Sequence, residues 1–180
     1  QGNFSKYNKM CGIAGVFGHA NGCGLGQVAE NMVASLVHRG PDDDGVWADD
    51  EAKIAFGHRR LSVLDISKEG HQPMLSKDGR YVMVFNGEVY NHQMLKKRLE
   101  SEGPISWWGH SDAEVMLEAI SKWGIEQALP KFTGMFAIAL FDRQERKLYL
   151  IRDRMGEKPL YYGWCSGAFV FGSELKALRK

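Results

Sequence analysis

Residues 81–85 form an almost wholly apolar run that ends at Asn86-Gly87, and such a run is expected to be a central strand covered on both faces. Further strands are expected over 11–17, 46–48 and 54–61. Two hairpins should follow, one joining 134–141 to 147–151 across Asp142-Arg143-Gln144-Glu145-Arg146, the other joining 160–164 to 169–171. Helical patterns separate these runs. A Gly-rich turn over 18–26 leads into a helix with Val28, Met32 and Leu36 at four-residue spacing. Another helix spans 91–102, and a third opens at Asp112 as N-cap, with Val115, Met116 and Ala119 on one face. Several strands buried on both faces, with three or four helices beside them, imply two packed sheets with helices outside.

Length and charge narrow the function. One domain is the natural count for 180 residues, long enough to bury a core without disulfides or metals. A formal charge of +1, with 25% charged residues, leaves no cationic surplus for nucleic acid or an anionic membrane surface. No stretch approaches the roughly 20 apolar residues of a membrane span, and the start lacks a signal-peptide core, so a cytoplasmic location is expected. Cys11, Cys23 and Cys165 are an odd number without metal spacing, and reduced thiols are expected. The six histidines show no His-x-x-x-His pattern, so neither zinc nor any other metal or cofactor is expected in this domain. Residues 1–9 are polar and aperiodic. They stand apart from the fold as a tag remnant or native upstream sequence.

Candidate chemistry begins at Met10-Cys11. Loss of Met10 would leave a cysteine carrying its own α-amine, so that one residue holds a nucleophile and a base. The competing reading is a small buried thiol beside a strand. Arg60 offers either a surface ion pair or a guanidinium fork for a substrate carboxylate. Asn86-Gly87-Glu88 is either a turn or a pair of donors, the Asn86 amide and the Gly87 N–H, aimed at a developing oxyanion. Asp112 is a helix cap or, with Glu88, a partner for a substrate ammonium. The irregular motifs His38-Arg39-Gly40-Pro41-Asp42 and 152–162 are expected to be structural.

In order along the chain, Cys-Gly-Ile at Cys11, His-Arg-Gly-Pro-Asp at His38, Arg-Leu-Ser-Val-Leu-Asp at Arg60, Gln-Pro-Met at Gln72, Asn-Gly-Glu-Val-Tyr-Asn at Asn86, Ser-Asp-Ala-Glu at Ser111, Gly-Met-Phe-Ala at Gly134 and Arg-Asp-Arg at Arg152 resemble one family. It is the glutamine amidotransferase domain that uses an N-terminal cysteine, and within it the asparagine synthetases. The resemblance covers residues 11 to about 178, so residues 1–10 are set aside as an extension ending in an initiator-like Met and 11–180 as the domain.

That resemblance implies a four-layer αββα fold of the N-terminal-nucleophile hydrolase type, an α+β architecture. It also implies hydrolysis of L-glutamine to glutamate and ammonia through a cysteinyl thioester. In the family pattern Cys11 is the nucleophile, Asn86 and Gly87 supply the oxyanion donors, and Arg60 takes the α-carboxylate. Glu88 and Asp112 serve the α-amine, and backbone around Leu61 and Val63 lines the site. Ammonia would pass to an ATP- and Mg-dependent synthetase domain outside this chain, since no Ser-Gly-Gly-Leu-Asp motif occurs before Lys180. With residues 1–10 attached, little activity is expected. Two alternatives stand beside this reading: a catalytically silent glutamine-binding or scaffold domain, and the glutaminase half of an enzyme that amidates a sugar acid or other carboxylate.

Overall fold

A computed structural model of the chain describes residues 10–19, 24–61 and 70–180. In chain order its strands are β1 (Gly12–Phe17), β2 (Asp43–Asp49), β3 (Ile54–Arg60), β4 (Met74–Leu75), β5 (Tyr81–Val89), β6 (Gly134–Asp142), β7 (Lys147–Arg152), β8 (Tyr161–Cys165) and β9 (Ala168–Gly172). The helices are α1 (Leu25–Ala34), α2 (His92–Ser101), α3 (Asp112–Trp123) and the short α4 (Ile125–Ala128). One sheet has the order β2-β3-β1-β9-β8 and the other β4-β5-β6-β7, with antiparallel pairing throughout.

The side-chain period of two sorts each strand into a helix face and a sheet face. On β1, Ala14 and Val16 pack with Leu25, Ala29 and Met32 of α1, whereas Ile13 turns to the seam between the sheets. On β5, Tyr81, Met83 and Phe85 pack with Leu95 of α2 and Met116 of α3, whereas Val82 and Val84 enter the seam. The seam is completed by Ile54, Phe56, Ala139, Phe141 and Phe171. Three apolar layers therefore separate four layers of backbone, α1, sheet, sheet and α2 with α3, which is the expected αββα sandwich. Burial of each seam phenylalanine contributes roughly 1.5–3 kcal/mol. Gly15 is where the seam is tightest: a methyl there would run into the Phe171 ring and lie 2.7 Å from the Ala55 carbonyl oxygen. Gly15→Ala is expected to lower stability by about 1–3 kcal/mol, read from the urea midpoint.

Three local expectations change. β5 does not stop at Phe85 but runs through Asn86 and Gly87 to Val89, pairing Asn86 with Ala137 and Gly87 with Phe136. The nine-residue edge of β6 continues the ladder past a dipeptide whose local preference is a turn. β2 begins at Asp43, inside the segment expected as a turn, because Asp43 pairs across to Arg60. The N-cap of α3 is Ser111, whose side chain accepts the Glu114 N–H at 3.2 Å, and Asp112 is the first helical residue. Residues 20–23 of the expected Gly-rich turn, including Cys23, lie outside the described residues, as does Val63. Cys11 and Cys165 are free thiols. No helix among the described residues is long and apolar enough to cross a membrane.

Candidate active site

The same period of two carries polar side chains to one end of the seam. Stepping back from Ile13 on β1 reaches Cys11, stepping forward from Phe56 on β3 reaches His58 and Arg60, and stepping forward from Val84 on β5 reaches Asn86. Gly12 pairs with Arg59, so Cys11 and Arg60 come side by side one step further on. Apolar filling ends here. A cavity of about 440 Å³ opens, with Leu61, Gly87, Glu88, Asp112 and Lys158 also on its wall.

Cys11 is held from behind. Its carbonyl accepts Nε of Arg39 at 3.0 Å, and Arg39 in turn donates to Glu174 at 3.1 Å, a carboxylate that also meets His38 at 2.9 Å. Gly40 allows this: a Cβ there would sit 2.6 Å from the backbone of Arg59 and Arg60. The His-Arg-Gly-Pro-Asp motif thus clamps the start of β1 to the end of β3. The Cys11 sulfur lies 3.9 Å from the Leu61 carbonyl. Burial pushes the thiol pKa up, against the opposing pull of the Arg60 and Arg39 charges. A thiol so placed needs a base.

The edge of β5 supplies oriented donors. Odd-numbered residues there turn their backbone groups away from β6. The Tyr81 N–H donates to Ser76 Oγ (2.8 Å), the Phe85 N–H to Gln72 Oε1 (2.6 Å) and the Val89 N–H to Asp112 Oδ2 (2.8 Å). Phe136, opposite Gly87, exchanges both its backbone bonds with Asp153 instead of β5. Alternation along the strand therefore leaves the Gly87 N–H on the open edge, toward the cavity. No side chain larger than hydrogen fits at Gly87, where φ is 153° and a Cβ would meet the Met135 carbonyl and lie 2.6 Å from Phe136 Cα. Beside it, Asn86 is 1% exposed, and its Nδ2 has no hydrogen-bond partner among the described residues. A buried amide donor left without an acceptor is costly, and a ligand oxygen resolves it.

Charge is divided across the cavity. Arg60 and Arg39 act on Cys11, whereas Glu88 and His92 act on Asp112. Burial pushes the Asp112 carboxyl up and Glu88 adds to the rise, while the Val89 and Ala113 N–H groups and His92 oppose it. The cavity wall thus carries the Arg60 guanidinium on the Cys11 side and the Glu88 and Asp112 carboxylates elsewhere, a match for a zwitterion. Among the described residues, no group of three or more His, Cys, Asp or Glu side chains is placed to hold a metal ion.

Of the residues singled out from sequence, Cys11, Arg60, Leu61, Asn86, Gly87, Glu88 and Asp112 all line this one cavity. Four others went unrecognised, three of them on the cavity wall and Arg39 behind it. His58, fully buried, has its pKa lowered to about 3 by desolvation first, so its ring is neutral. Facing a carbonyl, Nε2 must carry the proton and donate to Phe85 O at 3.2 Å. Gln72 takes the N–H of the same residue, so both backbone groups next to Asn86 are pinned. Arg39 braces Cys11 as described. Lys158 is presented by a turn whose centre is Asp153. That carboxylate accepts N–H bonds from Phe136, Met155, Glu157 and Lys158, which together bring its pKa down although burial alone would raise it. A step of two back from Arg60 would have marked His58. Nothing local marks the other three, which depend on contacts distant in sequence.

A family model described as a glutamine amidotransferase domain matches residues 10–180. The chain is 38% identical over 172 residues to glutamine-hydrolyzing asparagine synthetase 1 of Bacillus subtilis (strain 168), covering 94% of this chain and 26% of that protein. It is 40% identical over 154 residues to glutamine-hydrolyzing asparagine synthetase 3 of the same organism, covering 84% of this chain and 24% of that protein. Its fold is similar to glutamine phosphoribosylpyrophosphate amidotransferase from B. subtilis complexed with ADP and GMP, with a TM-score of 0.78 and 25% identity over 94% of this chain and 43% of that one. The chain thus spans about a quarter of the length of these two synthetases.

Proposed function

The chain belongs to the glutamine amidotransferase domain family, a group of glutamine-hydrolysing enzymes, and from that premise we propose which of its residues perform the hydrolysis and where the ammonia goes. Residues 1–10 are removed, and residues 11–180 form the working domain. L-glutamine binds with its α-carboxylate on Arg60 and its α-ammonium between Glu88 and Asp112, with Leu61 and Val63 lining the site. The side-chain amide then reaches Cys11.

The α-amine of Cys11, directly or through a water, takes the thiol proton as sulfur attacks the amide carbon. Negative charge moves onto the amide oxygen, which accepts from Asn86 Nδ2 and the Gly87 N–H. The amine returns its proton to the departing nitrogen. Ammonia leaves, and water cleaves the γ-glutamyl thioester to glutamate. The observation that carries this reading is the buried, unpartnered Asn86 amide beside the inward Gly87 N–H, in the cavity that holds Cys11.

Ammonia passes to an ATP- and Mg-dependent synthetase portion outside these residues, with aspartate as acceptor, in keeping with the two B. subtilis relatives. The glutaminase portion itself uses no cofactor, and the protein works in the cytoplasm. Protein beginning at Cys11 is expected to release glutamate from glutamine and to be labelled at Cys11, with Cys165 unlabelled, by an electrophilic glutamine analogue, while Cys11→Ala does neither. Labelling only at Cys165, or equal turnover by Cys11→Ala, contradicts the assignment.

A further inference from the structure

The Arg-Asp-Arg turn delivers a cation that the reaction described above does not use. Lys158 is 6% exposed, and its Nζ lies 2.9 Å from the sulfur of Met10, the residue that precedes Cys11. Both backbone groups of Lys158 are fixed, the N–H donating to Asp153 Oδ2 at 3.1 Å and the carbonyl accepting from Arg152 Nε at 2.6 Å, so the side chain enters the cavity from a rigid base. Arg39 Nε donates to the Cys11 carbonyl, and one of the buried Nη atoms of Arg39 has no partner among the described residues. Removal of Met10 puts an amine where the peptide nitrogen was and takes away the thioether beside Nζ.

We infer that Lys158, with Arg39, holds the new α-amine of Cys11 in its neutral form, and so sets the pH above which the amine works as a base. This rests on the glutaminase reading and adds a residue that acts through the amine without touching glutamine. A third positive charge beside these two cationic side chains is disfavoured, so the ammonium form of the amine gives up its proton more readily. The mutual repulsion already appears in Lys158 itself, whose pKa is lowered by burial first and by Arg39 second. Other charges around the amine do not cancel the effect. Arg60 adds to it from β3, and His58 is neutral. Glu174 is engaged by Arg39, His38 and Lys176, and Asp153 by four backbone N–H groups. Glu157 acts on Lys158. Glu88 and His92 act on Asp112, Asp43 and His71 pair with each other, and His110 also lines the cavity.

The sign follows directly. Activity needs the neutral amine, so the acidic limb of kcat/KM has its midpoint at the amine pKa, and loss of a neighbouring cation raises that midpoint. In protein beginning at Cys11, Lys158→Met is expected to move the acidic limb up by about half to one pH unit, whereas Lys158→Arg keeps the parent limb. Nitrogen NMR of selectively labelled Cys11 should report the same shift in the amine itself, which separates the two layers of inference. An inactive parent protein sinks the glutaminase reading, while the NMR titration still decides the role of Lys158. An unmoved amine titration in Lys158→Met, or an Arg variant that behaves like Met, overturns the inference. If Lys158→Met melts below the assay temperature, Lys158→Gln is read by the same two measurements and decides in its place.

Discussion

With residues 1–10 still joined to Cys11, glutamine turnover is expected to fall by at least about 10²-fold relative to protein that begins at Cys11, in line with the 10²–10⁴ that a positioned general base contributes. A peptide nitrogen has no usable lone pair, and the Cys11 thiol is pushed toward its protonated form by burial. Among the described residues, His58 is no substitute for the amine: desolvation lowers its pKa to about 3, so it is a weak base, and its Nε2–H is given to Phe85 O. Met10 also lines the cavity, so with residues 1–10 attached it would take up part of the space proposed for glutamine. Initial rates on the two forms, each verified by intact-mass spectrometry, measure the effect. Equal rates would remove the amine from the mechanism.

Asn86→Ala, again in protein beginning at Cys11, is expected to lower kcat by about 10²–10³ while KM for glutamine changes little. In the proposed mechanism the Asn86 amide donates to charge that exists only at the tetrahedral stage, whereas the ground-state substrate would be held by its two charged ends. Folding should survive, because Nδ2 makes no bond within the described residues and its loss leaves no partner stranded. Asn86→Asp is the stricter version: a carboxylate at that position repels the oxyanion, and it should be at least as slow as Ala at neutral pH. A variant that raises KM with kcat intact would place Asn86 on the ground-state amide instead.

The layered fold was legible because it depends on patterns that repeat. Apolar runs over 81–85 and 134–141 need cover on both faces, helical spacing supplies one cover and a second sheet the other, and the αββα order follows. Local turn preference was the poorer guide. Asn86-Gly87 has the composition of a hairpin turn, yet nine residues of β6 pull it into the ladder, and Asp43 is drawn into β2 by Arg60 in the same way. At the start of α3 the capping preferences of serine and aspartate are nearly equal, and the cap falls on Ser111, where the backbone is extended.

Sequence by itself nominated the candidate groups, Cys11, Arg60, Asn86, Gly87, Glu88 and Asp112, because each is a residue type whose functional groups suit a distinct part of one small zwitterionic amide. What it did not contain was their mutual placement. A step of two along β1, β3 and β5 sends Cys11, Arg60 and Asn86 to the same face only once those strands share a seam, and no one of the strands encodes where the seam ends. The bracing of Cys11 by Arg39, the pinning of Phe85 by Gln72 and His58, and the approach of Lys158 to residue 10 were decided by tertiary structure alone. Each joins residues between 13 and 148 positions apart, and such contacts exist only after the sheets have closed on one another.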